Sequence, residues 1–131
     1  MSDLVQTIKD FATLFDRLQI PYVIMGGWAV RLYGLPRPTY DIDIDIFLAE
    51  SEYQQSLMQR RRVHEFAGMS VSFVSAEDLI LLKLTAARPR DLGDIEDVML
   101  ARPDLDEAYM RKWAEPLGVA QQLEETLAAR P

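Results

Sequence analysis

The sequence predicts an α/β (α+β) fold: a small mixed sheet flanked by helices, followed by a helical C-terminal part. Three observations carry this. Residues 40–48 alternate strictly, with Ile42, Ile44 and Ile46 against Asp41, Asp43 and Asp45, which is the period of two of a strand. Residues 3–19 place Leu4, Ile8, Phe11, Phe15 and Leu18 on one helical stripe. Beyond residue 75 the pattern is helical throughout, broken at Pro89, Pro116 and Gly118. The length of 131 residues fits one domain over 1–131, with a sheet-containing core over 1–75 and a mainly helical part over 76–131.

In chain order, Ser2 is the expected N-cap of the first helix, and Pro21 stops it. The apolar run 22–25 predicts a buried strand, broken by Gly26-Gly27. Residues 28–33 predict a short helix closed by Gly34, and 35–39, with two prolines, a loop. After the Asp/Ile strand, 49–58 predicts a helix running into Arg60, Arg61 and Arg62, whose plain reading is a solvated helix end. Strands are expected at 62–66 and 69–74, joined in a hairpin at Ala67-Gly68. Ser75 with Asp78 approximates a capping box for a helix that carries Leu79, Leu82 and Ala86 and is ended by Pro89. Helices at 91–101, 106–115 and 120–129 complete the chain.

Composition narrows the function. Hydrophobic residues make up 49% and charged residues 27%, which excludes a disordered chain. With no cysteine and His64 as the lone histidine, any metal must be held by oxygen, which points to Mg2+ or Mn2+. No apolar run approaches the ~20 residues of a membrane span, and the start lacks a signal-peptide pattern, so no membrane partner and a cytoplasmic location are expected. The net charge of -7 disfavours non-specific nucleic-acid binding; the middle of the chain, 51–90, is the exception, with six bases against four acids.

The chemistry concentrates in two places. Asp41, Asp43 and Asp45 share one face of their strand, spaced roughly 6.7 Å apart along it. Three like charges in a row repel unless a cation neutralises them; the alternative is a fully solvated strand face. Carboxylates that share a divalent pair are the usual apparatus of in-line nucleotidyl displacement. Gly26 and Gly27, between a strand and a helix, let the backbone approach a ligand, and the helix start offers N–H groups to phosphate.

The stretch GGWAVRLYGLPRPTYDIDI resembles the signature of the DNA polymerase beta-type nucleotidyltransferase superfamily: a glycine pair on a strand-to-helix turn, then an aspartate-hydrophobic-aspartate strand. Its form is similar to the bacterial AbiEii-like nucleotidyltransferases, as are VSAEDLILLKLTAARPRDLGDIEDV and DLDEAYMRKWAEPLGV. The resemblance implies that Gly26 and Gly27 bind a nucleoside triphosphate and that Asp41 and Asp43 ligate the catalytic Mg2+ or Mn2+. It places Lys83 facing the site, or else as a surface or salt-bridged lysine, and Arg37 against phosphate, or else as a loop charge. Asp94 and Asp97 are assigned to helix packing and ion pairs.

Active members of that superfamily carry a third carboxylate on a neighbouring strand, after an intervening helix and strand. Here that segment looks deleted and the chain shortened. Asp45 as a remnant, Glu50 or Glu52 as a substitute, and loss of catalysis all stay open. Asp45 lies roughly 13 Å along the strand from Asp41, far for a shared site. If active, the protein would transfer a nucleoside monophosphate to an acceptor, whether protein, RNA or small molecule; otherwise it is a binding or regulatory module, such as half of a toxin–antitoxin pair. A truncated sheet leaves unpaired edges, so a homodimer through the 62–74 hairpin or the carboxylate strand is expected.

Overall fold

The structure, a computed structural model, describes residues 2–25, 27–34, 43–45 and 51–130; of residues 2–4, 27 and 43–45 it describes the backbone alone. The chain divides into two compact units, Met1–Ala29 with Pro38–Ser75, and Val30–Arg37 with Ala76–Pro131.

The first unit holds a mixed four-stranded sheet. Its strands are β1 (Val23–Met25), β2 (Asp43–Asp45), β3 (Arg62–Phe66) and β4 (Met69–Phe73), in the order β2-β1-β4-β3. β1 runs antiparallel to β2 and parallel to β4, and β3 and β4 form an antiparallel hairpin. The hairpin turns as expected at Ala67 (φ 49) and Gly68 (φ 87). Positive φ at both central residues gives the twist that matches a two-residue hairpin.

Helix α1 (Ser2–Leu18) starts at Ser2 itself rather than after it. It buries Ile8, Ala12 and Phe15, while Phe11 and Leu18, expected on the stripe, are 43% and 56% exposed. At 100° per residue Phe11 lies about 50° and Leu18 about 70° to one side of the Ile8–Phe15 line, on the flank of the seam. Gln19, with φ 55, closes the helix, and Ile20 N–H returns to the Phe15 carbonyl at 2.9 Å. Tyr22, Val23, Ile24, Val71 and Phe73 form the buried centre of the sheet. The Tyr22 hydroxyl accepts from Ser72 N–H at 3.1 Å.

Helix α3 (Glu52–Gln59) begins later than expected, because Ser51 caps it. Ser51 Oγ accepts from Gln54 N–H at 3.0 Å, and Gln54 Oε1 accepts from Ser51 N–H at 3.3 Å. The arginine run divides: Arg60 caps the helix, Arg61 is an exposed connector, and Arg62 opens β3.

The short helix α2 (Gly27–Tyr33) passes from the first unit into the second. Gly34 follows it, and a Cβ there would stand 3.0 Å from the Val30 carbonyl and 3.3 Å from Val98 N. Only glycine lets this backbone approach α5 so closely.

The remaining helices are α4 (Ala76–Ala86), α5 (Pro89–Ala101), α6 (Glu107–Leu117) and α7 (Ala120–Ala128). Pro89 is the first residue of α5, where its missing N–H costs nothing, rather than only the end of α4. Pro116 sits in the last turn of α6, and Gly118 (φ 76) closes it. α4 packs against α5, α6 and α7, so it is buried on more than one side: Leu79, Ile80, Leu81 and Leu84 are inside, and Ala86 is exposed. The spacing of Leu79, Leu82 and Ala86 suits an amphipathic helix, whereas this one is a central helix. No helix among the described residues is long and apolar enough to cross a membrane.

Candidate functional site

The strand register brings the two chemical motifs together. β1 ends at Met25, one residue before Gly26, and Gly27 opens α2. β2 lies antiparallel beside it, with Asp43 paired to Met25, Ile44 to Ile24 and Asp45 to Val23. Paired Cα atoms in such a ladder lie about 4.5–5.5 Å apart. Asp43 therefore stands at the mouth of the glycine turn, although 15 residues separate it from Gly27 in sequence. Asp45 is two residues further along β2, roughly 7 Å from that end. Gly26, Arg37, Asp41 and Glu50 lie outside the described residues, and Glu52 is exposed in the first turn of α3.

After β2 the chain forms α3, then β3, then β4, and β4 pairs with β1 on the side opposite β2. That is the order in which a third carboxylate would arrive, on a strand following an intervening helix and strand. The residues of β4 are Met69, Ser70, Val71, Ser72 and Phe73. None of these is a carboxylate, and positions 70 and 72 carry serine.

Among the described residues no group of three or more His, Cys, Asp or Glu side chains could hold a metal. The donors that the β2 segment offers are carboxylates. Hard oxygen ligands of this kind match Mg2+ or Mn2+ and not a soft metal, so the donor chemistry fits the expected ion.

Lys83 occupies a different setting, in the helical unit. Its Nζ lies 2.9 Å from Asp91 Oδ1 and 3.0 Å from Asp94 Oδ2, and all three side chains are buried. Asp91 also accepts from the Arg88 backbone N–H at 3.1 Å and from Arg88 Nε at 2.7 Å. Burial opposes ionisation of Asp91, but the hydrogen bonds from Arg88 and Lys83 outweigh it and hold the carboxyl well below the usual carboxylate range. The ammonium is thus committed to two carboxylates, with which any phosphate would have to compete. The ion-pair role expected of Asp94 is present. Asp91 and Arg88 were not singled out in the sequence, although Lys83, Arg88, Asp91 and Asp94 fall within 12 residues across one helix junction.

No protein-family model and no curated protein matches the chain. A crystal structure of an antigenic nucleotidyltransferase-like protein from Paracoccidioides brasiliensis does, with a TM-score of 0.57 at 18% identity, covering 98% of this chain and 94% of that one. The fold is nucleotidyltransferase-like. The match runs over nearly all of both chains.

Proposed function

We propose that this protein binds a nucleoside triphosphate together with Mg2+ or Mn2+ at the β1–α2 turn and strand β2, as a nucleotidyltransferase of AbiEii-like kind with weak turnover. The observation that supports it is the pairing of Asp43 with Met25, which brings the carboxylate strand to the glycine turn. Asp41 and Asp43 would hold the divalent ion, Gly26 and Gly27 would receive the triphosphate, and Arg37 would neutralise phosphate charge. The bound ion would offset the negative charge of the triphosphate and of the attacking oxygen. In the transfer, an acceptor oxygen bonds to the α-phosphorus, the bond from that phosphorus to the bridging oxygen breaks, and pyrophosphate leaves. The acceptor's proton needs a base. Serine hydroxyls at positions 70 and 72 do not supply one at neutral pH, and Asp45 is the carboxylate left on β2 to do so. The acceptor is a protein, an RNA or a small molecule.

Calorimetric titration of the triphosphate with and without Mg2+ tests the binding. We expect Mg2+-dependent affinity that falls at least tenfold in Asp41→Asn and Asp43→Asn; affinity indifferent to both the ion and the substitutions would refute the reading. A second reading, a regulatory module such as a toxin–antitoxin component, is favoured by the serines of β4. Incubation with labelled triphosphate and cell extract separates the two. Slow labelling abolished by Asp43→Asn selects the enzyme, and binding without any labelling selects the module.

A further inference from the structure

Strand β3 is an edge of the sheet: β4 pairs with one side of it, and among the described residues no strand pairs with the other. Its five residues keep an unbroken register with β4, without a bulge or a proline. Edge strands usually carry such devices, because unpaired N–H and C=O groups invite another strand. On this edge Val63, the second residue of β3, is 64% exposed, more than any other large hydrophobic residue among those described. Its partner on β4 is Ser72, so the sheet offers it no apolar neighbour across the ladder.

We propose that β3 pairs antiparallel with β3 of a second copy, about a two-fold axis through Val63, joining two four-stranded sheets edge to edge. A two-fold axis normal to a continuous sheet preserves its faces, so each residue meets one of the same parity. About Val63, Val63 meets its own copy, Arg61 stands across from Glu65, Glu65 from Arg61, and Arg62 from His64. The nearest alternative axis, through His64, sets Val63 against Glu65 and Arg62 against Phe66 and matches no opposite charges. Opposite charges and β-branched residues directly across a ladder stabilise it, and the charge pattern therefore selects Val63.

Arg61 and Glu65 are both exposed. Arg61 donates to the Met58 carbonyl at 2.6 Å, and a guanidinium with five N–H donors keeps others for a carboxylate. The net charge of -7 opposes association, but residues 60–65 carry three arginines against one glutamate, and screening at physiological salt acts beyond about 8 Å. Two copies in this arrangement satisfy each other's edge, and the isologous contact closes without extending into a filament.

The chain has no cysteine, so an introduced one reports its own neighbourhood. On mild oxidation Val63→Cys is expected to form a disulfide-linked dimer, because its two Cα atoms face each other across the axis about 4.5–5.5 Å apart, within the ~7 Å that a disulfide spans. Glu65→Cys, whose two copies stand roughly 13 Å apart in this register, is expected not to. Sedimentation equilibrium at micromolar concentration should give a species of twice 15.0 kDa. Arg61→Glu and Glu65→Arg should each weaken association about tenfold, and the double exchange should restore it, with unchanged far-UV circular dichroism. A wild-type monomer throughout that range overturns the proposal. So does cross-linking of Glu65→Cys as fast as Val63→Cys, or a dimer indifferent to both charge reversals.

Discussion

The two units use aspartate in opposite ways. In the helical unit Asp78, Asp91 and Asp94 are buried, and with Lys83 they make up the buried charged side chains among the described residues. Each has its answer inside the chain: Lys83 and Arg88 for Asp91, Lys83 for Asp94, and the Tyr109 hydroxyl, 2.7 Å from Asp78 Oδ1. In the sheet unit the aspartates of β2 sit in a run, residues 38–59, that contains no lysine or arginine at all. An acid whose cation is supplied nearby in sequence serves the fold. The carboxylates of β2 have no such cation within their own run of sequence, which is consistent with the ion proposed above.

Asp91→Ala should break this contrast most strongly. Removing it leaves Lys83 buried against Asp94 alone, and breaking a buried pair costs about 3–5 kcal/mol, read as a lower urea midpoint. The same carboxylate governs acid sensitivity. Its folded pKa lies below the ordinary value of 3.8, so its contribution is complete above that value and is lost as pH falls from there toward the folded pKa. Below about pH 4 the wild type should therefore lose stability more steeply than Asp91→Asn. Next comes Tyr109→Phe, which strips the hydroxyl from a buried carboxylate and should cost about 1.5–3 kcal/mol in the same assay.

In the sheet unit, Gly68→Ala tests the hairpin. The added Cβ meets no atom within 4 Å, yet φ 87 forces alanine into left-handed backbone, at roughly 1–2 kcal/mol. A loss much larger than this would mean that the turn does more than join two strands. The smallest effect is expected for Glu124→Gln. Glu124 accepts from Arg111 Nε at 2.7 Å, but in open solvent, and the urea midpoint should not move measurably. A clear loss there would erase the distinction between the buried ion cluster and surface pairs.

Most of the elements are legible in the sequence because their signals are local. The Ala67-Gly68 turn, the alternation of β2, and the helices bounded by Pro89 and Gly118 each declare themselves within a few residues. Phe11 and Leu18 were misread because periodicity locates a stripe but not which of its flanks a neighbour covers. From the residues alone the site was legible as two motifs, and the resemblance joined them into one place. Only the β1–β2 register sets Asp43 beside Met25, and register depends on which strands pair. The serines of β4 escaped for a similar reason: two serines in a strand carry no chemical signal until the strand is found next to β1.

The parallel pairing of β1 with β4 has a kinetic consequence. It joins Ile24 to Phe73, so the centre of the sheet cannot form until most of the first unit's chain has been drawn together. α4 and α5, α6 and α7 pack as successive neighbours and close short loops. Long loops cost more entropy before any contact rewards them, and folds rich in local contacts form faster. The two tryptophans report separately, Trp28 from the first unit and Trp113 from α6. On dilution from denaturant, a variant retaining only Trp113 should recover its native fluorescence before one retaining only Trp28. Simultaneous recovery would mean that the helices wait for the sheet.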